Sequence, residues 1–243
     1  LLSERASSVP SHVLGGDAER FQSVVRRRGL GRGRECTRGL VRSAGVGCGR
    51  RLADALIARG CLVLDAGSGM GRVGARLREL GHEVTAVEKD PELVAMSREL
   101  YPDLPVIEQD LLAISPAQLL AHGRPTAYDL VVLVGNVMIL LAPDTERRAL
   151  STVAAVLRPG GRLLVGFHPA GGGPAHGRHY PPAEFASDAQ ACGLVVEHQL
   201  GGYSLEPINP DYAVWVLRKP AAGYEGLTSP ALTCARDHAG LVR

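Results

Sequence analysis

Three glycines at alternate positions follow an aspartate in the stretch D-A-G-S-G-M-G. Asp65 ends a run of apolar residues, and Gly67, Gly69 and Gly71 come after it. Because glycine has no Cβ, a loop of this composition lets its backbone approach a bound molecule closely. Where such a loop joins a buried strand to a helix, it is typical of a nucleotide-binding turn. The stretch therefore predicts that a nucleotide-like molecule binds here.

Polar residues also stand where three later strands are predicted to end. Glu88 closes the strand V-T-A-V-E, and Asp110-Leu111 follows a short third strand. Gly135 and Asn136 come directly after the apolar strand Y-D-L-V-V-L-V. A carboxylate at the carboxyl end of a parallel strand can accept hydrogen bonds from ribose hydroxyls. The simpler alternatives are that Asp110 caps a helix and that Asn136 forms a turn.

The elements that must position these residues alternate between strands and helices from Leu52 onward. Apolar residues at helical spacing predict helices before and after the glycine loop, and Asp90-Pro91 predicts the start of a third. The predicted strands are the one reaching Asp65, then 83–88, 105–108, 128–134, 162–167, 194–198 and 212–218. Further helices are predicted at 115–123, 143–157 and 182–192. Alternation of this kind indicates a parallel sheet, whereas the last two strands lack an intervening helix and indicate an antiparallel pair.

Charge and amino-acid composition divide the 243 residues into three parts. Residues 1–51 hold 11 arginines against 4 acids, although the whole chain has a net charge of only +2. Seven glycines lie between positions 29 and 49, so we expect an irregular basic N-terminal segment over residues 1–51. The folded domain is predicted over residues 52–218, and a loose tail over residues 219–243.

The five cysteines and the apolar runs bear on the compartment. The cysteines form no C-x-x-C pair, which argues against a disulfide framework or a zinc knuckle and favours a reducing cytoplasm. The longest apolar run, 130–142, contains Asn136 and is shorter than the roughly 20 residues that a membrane span needs. We therefore expect a cytoplasmic protein without a membrane partner.

These motifs, in this order, resemble the class I S-adenosylmethionine-dependent methyltransferases. The resemblance covers about Leu52 to Arg218 and rests on D-A-G-S-G-M-G, the acid closing the second strand, Asp110-Leu111, Y-D-L-V-V, and R-P-G-G before the fifth strand. It implies an α/β fold with a doubly wound, seven-stranded, mostly parallel sheet, an antiparallel last strand and helices on both faces. The stretch G-N-V-M-I-L-L-A-P at 135–143 is similar to a subgroup of small-molecule or uncharacterised methyltransferases.

The resemblance also implies a cofactor, S-adenosylmethionine, and a set of residues that bind it. In the family, the acid matching Asp65 organises the loop and reaches toward the cofactor's amino group, and Glu88 binds both ribose hydroxyls. Asp110 would bind the adenine amino group, with the Leu111 amide against the ring. The residues implied are Asp65, Ala66, Gly67, Ser68, Gly69, Gly71, Glu88, Asp110, Leu111, Gly135 and Asn136.

The reaction implied is in-line transfer of a methyl group to a small-molecule acceptor. Because the cofactor carries the activated methyl group, no nucleophilic residue is required, but an oxygen or nitrogen acceptor can need a general base. His168, directly after the fifth strand, is the best candidate, and the catalytic residue is otherwise unassigned. The other candidates are His176, His179, Tyr180, Tyr203 and Asp211. The H-x-x-H pair at 176 and 179 has no carboxylate near it in sequence, so we predict no metal.

Two alternatives remain open at this point. Gly69-x-Gly71-x-x-Gly74 also matches the G-x-G-x-x-G of NAD(P)-dependent oxidoreductases, although the series starts earlier, at Gly67, and the terminal strand pair breaks their repeat. A protein that binds S-adenosylmethionine without turnover is the second alternative. Nucleic acid is not the expected partner, because residues 26–51 lack interleaved aromatics and V-G-N-V replaces the N/D-P-P-Y of base-flipping methyltransferases.

Overall fold

A computed structural model describes residues 44–170 and 173–221 of the chain. The predictions made for residues 1–43, including their irregular character, and for residues 222–243 lie outside the described residues. The division into an N-terminal segment, a domain and a tail stays a prediction.

The centre of the fold is a seven-stranded sheet. Its strands are β1 (Leu62–Ala66), β2 (Glu83–Glu88), β3 (Val106–Glu108), β4 (Tyr128–Leu133), β5 (Leu157–Phe167), β6 (Val195–Leu200) and β7 (Ala213–Arg218). They are arranged in the order β3-β2-β1-β4-β5-β7-β6. β7 runs antiparallel to both of its neighbours, and the other neighbouring pairs are parallel. The predicted mostly parallel sheet with an antiparallel last strand is confirmed.

Helices connect the strands and cover the sheet. They are α1 (Ala44–Ala55), α2 (Arg72–Glu79), α3 (Pro91–Leu100), α4 (Pro116–Ala121), α5 (Glu146–Val156) and α6 (Pro182–Ala191), with short 3₁₀ turns at Leu111–Ala113 and Val137–Leu140. The predicted start of α3 is confirmed, since Asp90 accepts a hydrogen bond of 2.8 Å from the Glu92 N–H and Pro91 occupies the first helical position.

Two element boundaries differ most from the prediction. α1 begins at Ala44, so the expectation of irregular structure is wrong for residues 44–51. Glycine costs roughly 1 kcal/mol per helical position relative to alanine, but packing against the rest of the domain offsets that cost. Gly49 provides such a contact, because a Cβ there would lie 3.4 Å from the Tyr203 ring. β5 begins at Leu157 rather than at Arg162, and its register against β4 shifts over the R-P-G-G stretch.

Both faces of the sheet are buried, as the apolar strands predict. Along β1, Val63 packs into the core on one face and Leu64 into the core on the other. The neighbouring residues of β4 do the same, with Leu130 on the first face and Val131 on the second. This alternation between two buried faces is typical of a central parallel strand covered by helices.

The strand order places one crevice at the centre of the sheet. Connections from β1 lead to β2 on one side, while β4 pairs with β1 on the other. In open α/β sheets, ligands bind at the carboxyl ends of the strands where the order reverses in this way. The loops after β1 and β4 therefore meet where a ligand is expected.

Candidate active site

The glycine loop leaves β1 and is tied to β2 at once. The Gly67 and Ser68 N–H groups both donate to the Val87 carbonyl, at 2.8 and 3.0 Å. Gly67, Gly69 and Gly71 have φ angles of 74°, 56° and 83°, in the left-handed region that residues with a Cβ rarely adopt. The backbone conformation alone therefore accounts for glycine at these three positions, independently of any ligand.

Only one of these three glycines faces open space with its missing side chain. A Cβ on Gly69 would meet no heavy atom within 4 Å. A Cβ on Gly67 would come within 2.8 Å of a Val137 methyl group, and one on Gly71 would come within 2.7 Å of Leu104. Gly67 and Gly71 therefore also permit close packing inside the protein, a reason that the sequence did not suggest.

Gly135 provides a second open position on the facing loop. Its φ is 82°, and a Cβ there would also meet nothing within 4 Å. Because Gly67 packs on Val137, the loops after β1 and β4 touch, and Gly69 and Gly135 belong to two loops at the same crevice. Ser68 adds a buried hydroxyl with no hydrogen-bond partner among the described residues. Bare backbone beside an unsatisfied polar atom suits a bound polar ligand.

Asp65 lies at the base of the loop and is 2% exposed. Its Oδ2 atom accepts a hydrogen bond of 2.8 Å from the Gly74 N–H, which joins the end of β1 to α2. Burial raises the pKa of Asp65 to about 7, the Gly74 N–H acts in the opposite direction, and the negative charge of Glu88 raises it further. The hydrogen bond to Gly74 is consistent with the expected role of Asp65 in organising the loop.

The Glu88 carboxylate is buried beneath the same loop. Its Oε2 atom accepts from the Gly69 N–H at 2.8 Å, and its Oε1 atom accepts from the Lys89 and Asp90 N–H groups at 2.9 and 3.0 Å. A carboxylate offers about four lone-pair sites, so three backbone donors leave capacity for a ligand hydroxyl.

Asp110 follows β3 and is exposed. Its Oδ1 atom accepts a hydrogen bond of 2.8 Å from the Leu112 N–H and caps the 3₁₀ turn. The capping role considered from the sequence is therefore present. The other carboxylate oxygen has no partner among the described residues, so capping and ligand binding are compatible. Leu111 is buried beside it.

Asn136 and His168 meet at the ends of β4 and β5. The Asn136 side chain accepts a hydrogen bond of 3.0 Å from the His168 backbone N–H and lies 3.0 Å from the ring atom Nδ1. The His168 ring packs edge-on against Tyr212, with 4.7 Å between ring centroids. Burial lowers the pKa of His168, and nearby Asp211 acts in the opposite direction. The structure thus brings together two residues that the sequence named separately.

Residues 173–178, which follow β5 in the chain, pack beside His168. Gly173 and Gly177 pack so closely on Ile139 that a Cβ on either would lie 2.9 Å from its Cδ1 atom. The Arg178 N–H donates to the Ile139 carbonyl at 2.9 Å. The Arg178 guanidinium pairs with buried Glu146. This anchor, which sequence analysis missed, holds the loop against the turn after β4.

The other candidate bases differ in their surroundings. Tyr180 is fully buried, and its hydroxyl donates to Asp188 at 2.7 Å, so it is not available to an acceptor. The prediction of Tyr180 as a candidate general base is therefore wrong. The Tyr203 hydroxyl lies 3.1 Å from that of Tyr212, and burial raises the pKa of both phenols. Tyr212 was not named as a candidate site residue from the sequence. Its position directly before β7 was the signal that could have indicated it.

His176 and His179 are both exposed. Within residues 44–170 and 173–221, no group of three or more His, Cys, Asp or Glu side chains is placed to hold a metal ion. None of the helices described is long and apolar enough to cross a membrane. The cytoplasmic location stays a prediction.

A cleft of about 370 Å³ opens at the opposite edge of the sheet, lined by residues 55–58, Asp129 and residues 158–162. None of the predicted site residues lines it. We therefore locate the candidate site at the carboxyl edge, where the predicted residues converge.

Comparisons with known proteins point to one family. Residues 63–161 match a family model described as a methyltransferase domain. A TehB-like SAM-dependent methyltransferase from Corynebacterium glutamicum superposes with a TM-score of 0.64 and 28% identity, over 83% of this chain and 98% of that one. The family match and this superposition support a class I S-adenosylmethionine-dependent methyltransferase. The antiparallel β7, between β5 and β6, agrees with this family and not with the dinucleotide-binding alternative.

Two groups of curated relatives match this chain over different lengths. Ribosomal RNA small subunit methyltransferase A of Chlorobaculum parvum is 35% identical over 81 residues, which is 33% of this chain and 27% of the relative. Ubiquinone biosynthesis O-methyltransferase of Xylella fastidiosa is 27% identical over 183 residues, covering 75% of this chain and 61% of the relative. The chain thus spans about a quarter of the length of the ribosomal RNA methyltransferase and less than two thirds of the other.

Proposed function

We propose that this methyltransferase transfers a methyl group from S-adenosylmethionine to a small-molecule acceptor at the carboxyl ends of β1 and β4. The observation that carries the proposal is the contact between the two loops there. Gly135 and Gly69 face open space on these loops, and the Gly69 N–H donates to the buried Glu88 carboxylate. When bound, the cofactor supplies a methyl group already activated on a sulfonium, so the protein's task is to bind and orient.

The residues of the glycine loop suit the cofactor. Gly69 and Gly135 would let the backbone approach it, and Glu88 would use its remaining lone pairs for the ribose hydroxyls. Asp110 would use its free oxygen for the adenine amino group, with Leu111 against the ring. Asp65 holds α2 to β1 through Gly74 and so keeps the loop in shape. These assignments follow the family resemblance and are part of the proposal.

Charge at the strand ends supports a small molecule over nucleic acid. The ends of β2 and β3 carry Glu88, Glu108 and Asp110. Proteins that bind RNA or DNA neutralise phosphates with lysine and arginine, and carboxylates at this edge would repel them. The lengths of the matches agree, since the ribosomal RNA relative matches only a third of this chain, whereas the O-methyltransferase match extends over three quarters of it.

Calorimetry on the full chain tests the cofactor assignment. S-adenosylmethionine should bind with one-to-one stoichiometry, and NAD should give no heat of binding. Saturable binding of NAD without binding of S-adenosylmethionine would overturn the proposal.

Labelled S-adenosylmethionine tests turnover. Incubation with a deproteinised metabolite extract should give label in a small-molecule product, while ribosomal RNA added to a parallel sample should stay unlabelled. Binding without transfer would favour a protein that only binds the cofactor. Transfer to RNA alone would contradict the small-molecule acceptor.

A further inference from the structure

The orientation of the Asn136 side-chain amide follows from its neighbours. Asn136 has a φ of 76°, in the left-handed region, and its own N–H donates to the Gly166 carbonyl at 3.1 Å. One side-chain atom of Asn136 lies 3.0 Å from the His168 backbone N–H. A backbone N–H can only donate, so the atom that faces it must be the oxygen, Oδ1.

That orientation decides which nitrogen of His168 carries the proton. Nδ1 lies 3.0 Å from the same Oδ1 atom. Because Oδ1 can only accept a hydrogen bond, the His168 atom facing it must be the donor. Nδ1 must therefore carry a proton. In a neutral imidazole the other nitrogen, Nε2, then has a free lone pair. No group in residues 44–170 or 173–221 is hydrogen-bonded to Nε2, so the lone pair is available.

The surroundings of the ring favour the neutral form. Tyr212 packs edge-on against it, and the Tyr212 hydroxyl is bonded to Tyr203 rather than to the imidazole. Gly173 also lies against the side chain, since a Cβ there would lie 3.4 Å from the His168 Cβ and 3.6 Å from its Nδ1. Asp211 is the charged group that acts on the ring, and its effect is smaller than that of burial, so the pKa of His168 stays below its usual value.

We propose that Nε2 of His168 is the general base that accepts the proton of a hydroxyl acceptor, and that Asn136 is the positioning residue that holds the ring in the competent tautomer. The inference rests on the proposed methyltransferase function. The electron pair of the acceptor O–H bond stays on oxygen, which bonds to the methyl carbon. The carbon–sulfur bond breaks with its pair left on sulfur, and the proton moves to Nε2. Imidazolium then keeps its Nδ1–H on Asn136 and releases the new proton to water.

Long-range ¹H–¹⁵N correlation spectra of the full chain test the tautomer without any acceptor. At neutral pH, His168 should show a protonated Nδ1 and an unprotonated Nε2. In Asn136→Gly, which removes the amide while suiting the left-handed backbone, the two tautomers should mix. His122, exposed on another element, is the internal reference. A His168 that is protonated at Nε2, or a tautomer unchanged in Asn136→Gly, would overturn the proposal.

His168→Asn tests the base itself, because its amide N–H can still donate to Asn136 while Nε2 is gone. Calorimetry should show unchanged affinity for S-adenosylmethionine. Label transfer to the metabolite extract should fall by about 10²- to 10⁴-fold and lose its rise with pH. Equal transfer by the two proteins would refute the base. Failure of the unmodified chain to bind S-adenosylmethionine would count against the proposed function, and the tautomer spectra would still decide this inference.

Discussion

The Oε2 atom of Glu88 accepts a hydrogen bond of 2.8 Å from the backbone N–H of Gly69. The acid that ends β2 thus holds the one loop glycine whose missing side chain faces open space. Its other oxygen satisfies two further N–H groups, those of Lys89 and Asp90. Glu88 therefore shapes the loop before any ligand is considered, and a role toward ribose would be added to that one.

Glu88→Ala should weaken binding of S-adenosylmethionine by about 10- to 100-fold. Three part-buried backbone donors lose their acceptor, and leaving a buried donor unsatisfied costs roughly 1–3 kcal/mol, which is an upper bound here. Calorimetry on the purified variant measures the change. Glu83→Ala is the matched control, because Glu83 is an exposed residue at the other end of the same strand. Equal affinities for the two variants would show that the Glu88 carboxylate does not support the cofactor site.

Gly71→Ala should lower the free energy of unfolding more than Gly123→Ala does. Both positions have positive φ, so both variants share a backbone penalty of about 1–2 kcal/mol. Only at Gly71 does the new methyl group meet packed atoms, with Leu104 at 2.7 Å, whereas Gly123 faces open space. Overpacking should add about 1–3 kcal/mol in urea denaturation. Equal losses would mean that the packing between this turn and Leu104 is loose.

Asp65→Asn should make the free energy of unfolding less dependent on pH between about pH 4 and pH 7. Burial raises the pKa of the wild-type carboxyl from its ordinary 3.8 to about 7. Across this interval the folded chain keeps a proton that the unfolded chain has released, so a rise in pH lowers the free energy of unfolding. The Asn oxygen can still accept from Gly74 but has no charge to bury. Above pH 7 the variant should therefore be the more stable, on a scale of about 1.4 kcal/mol per pKa unit.

The comparison for Asp65→Asn is the difference between the two unfolding curves at each pH, since titration of groups that do not interact with Asp65 cancels in it. The difference should be small at pH 4 and grow up to about pH 7. A difference that is constant with pH would contradict the buried, neutral carboxyl.

The fold could be predicted because its signals are local. The apolar strands, the glycine loop and the cap at Asp90-Pro91 depend on neighbouring residues, and each was found close to its predicted place. α1 was missed over residues 44–51 because its stability depends on contacts such as that between Gly49 and Tyr203, 154 positions along the chain, which no local pattern reports.

The site could be predicted only in part, for the same physical reason. Parallel strands bring their carboxyl ends together, so Glu88, Asn136 and His168 were expected at one edge. The bond between Asn136 and His168 depends on the register of β4 and β5 and on a left-handed turn, neither of which is visible in sequence. Tyr180 was misjudged because the aromatic cluster that buries it is assembled from distant segments.

Cofactor binding at the loop after β1 is tested by affinity for S-adenosylmethionine in Gly69→Asn, with Gly123→Asn as the control. The two glycines have similar φ angles, 56° and 64°, which Asn tolerates better than most residues, and both face open space. Only Gly69 lies at the carboxyl edge beside Glu88. Calorimetry should find binding lost in Gly69→Asn and unchanged in Gly123→Asn. Wild-type affinity in Gly69→Asn, in a chain that unfolds like the control, would contradict a cofactor site at this loop.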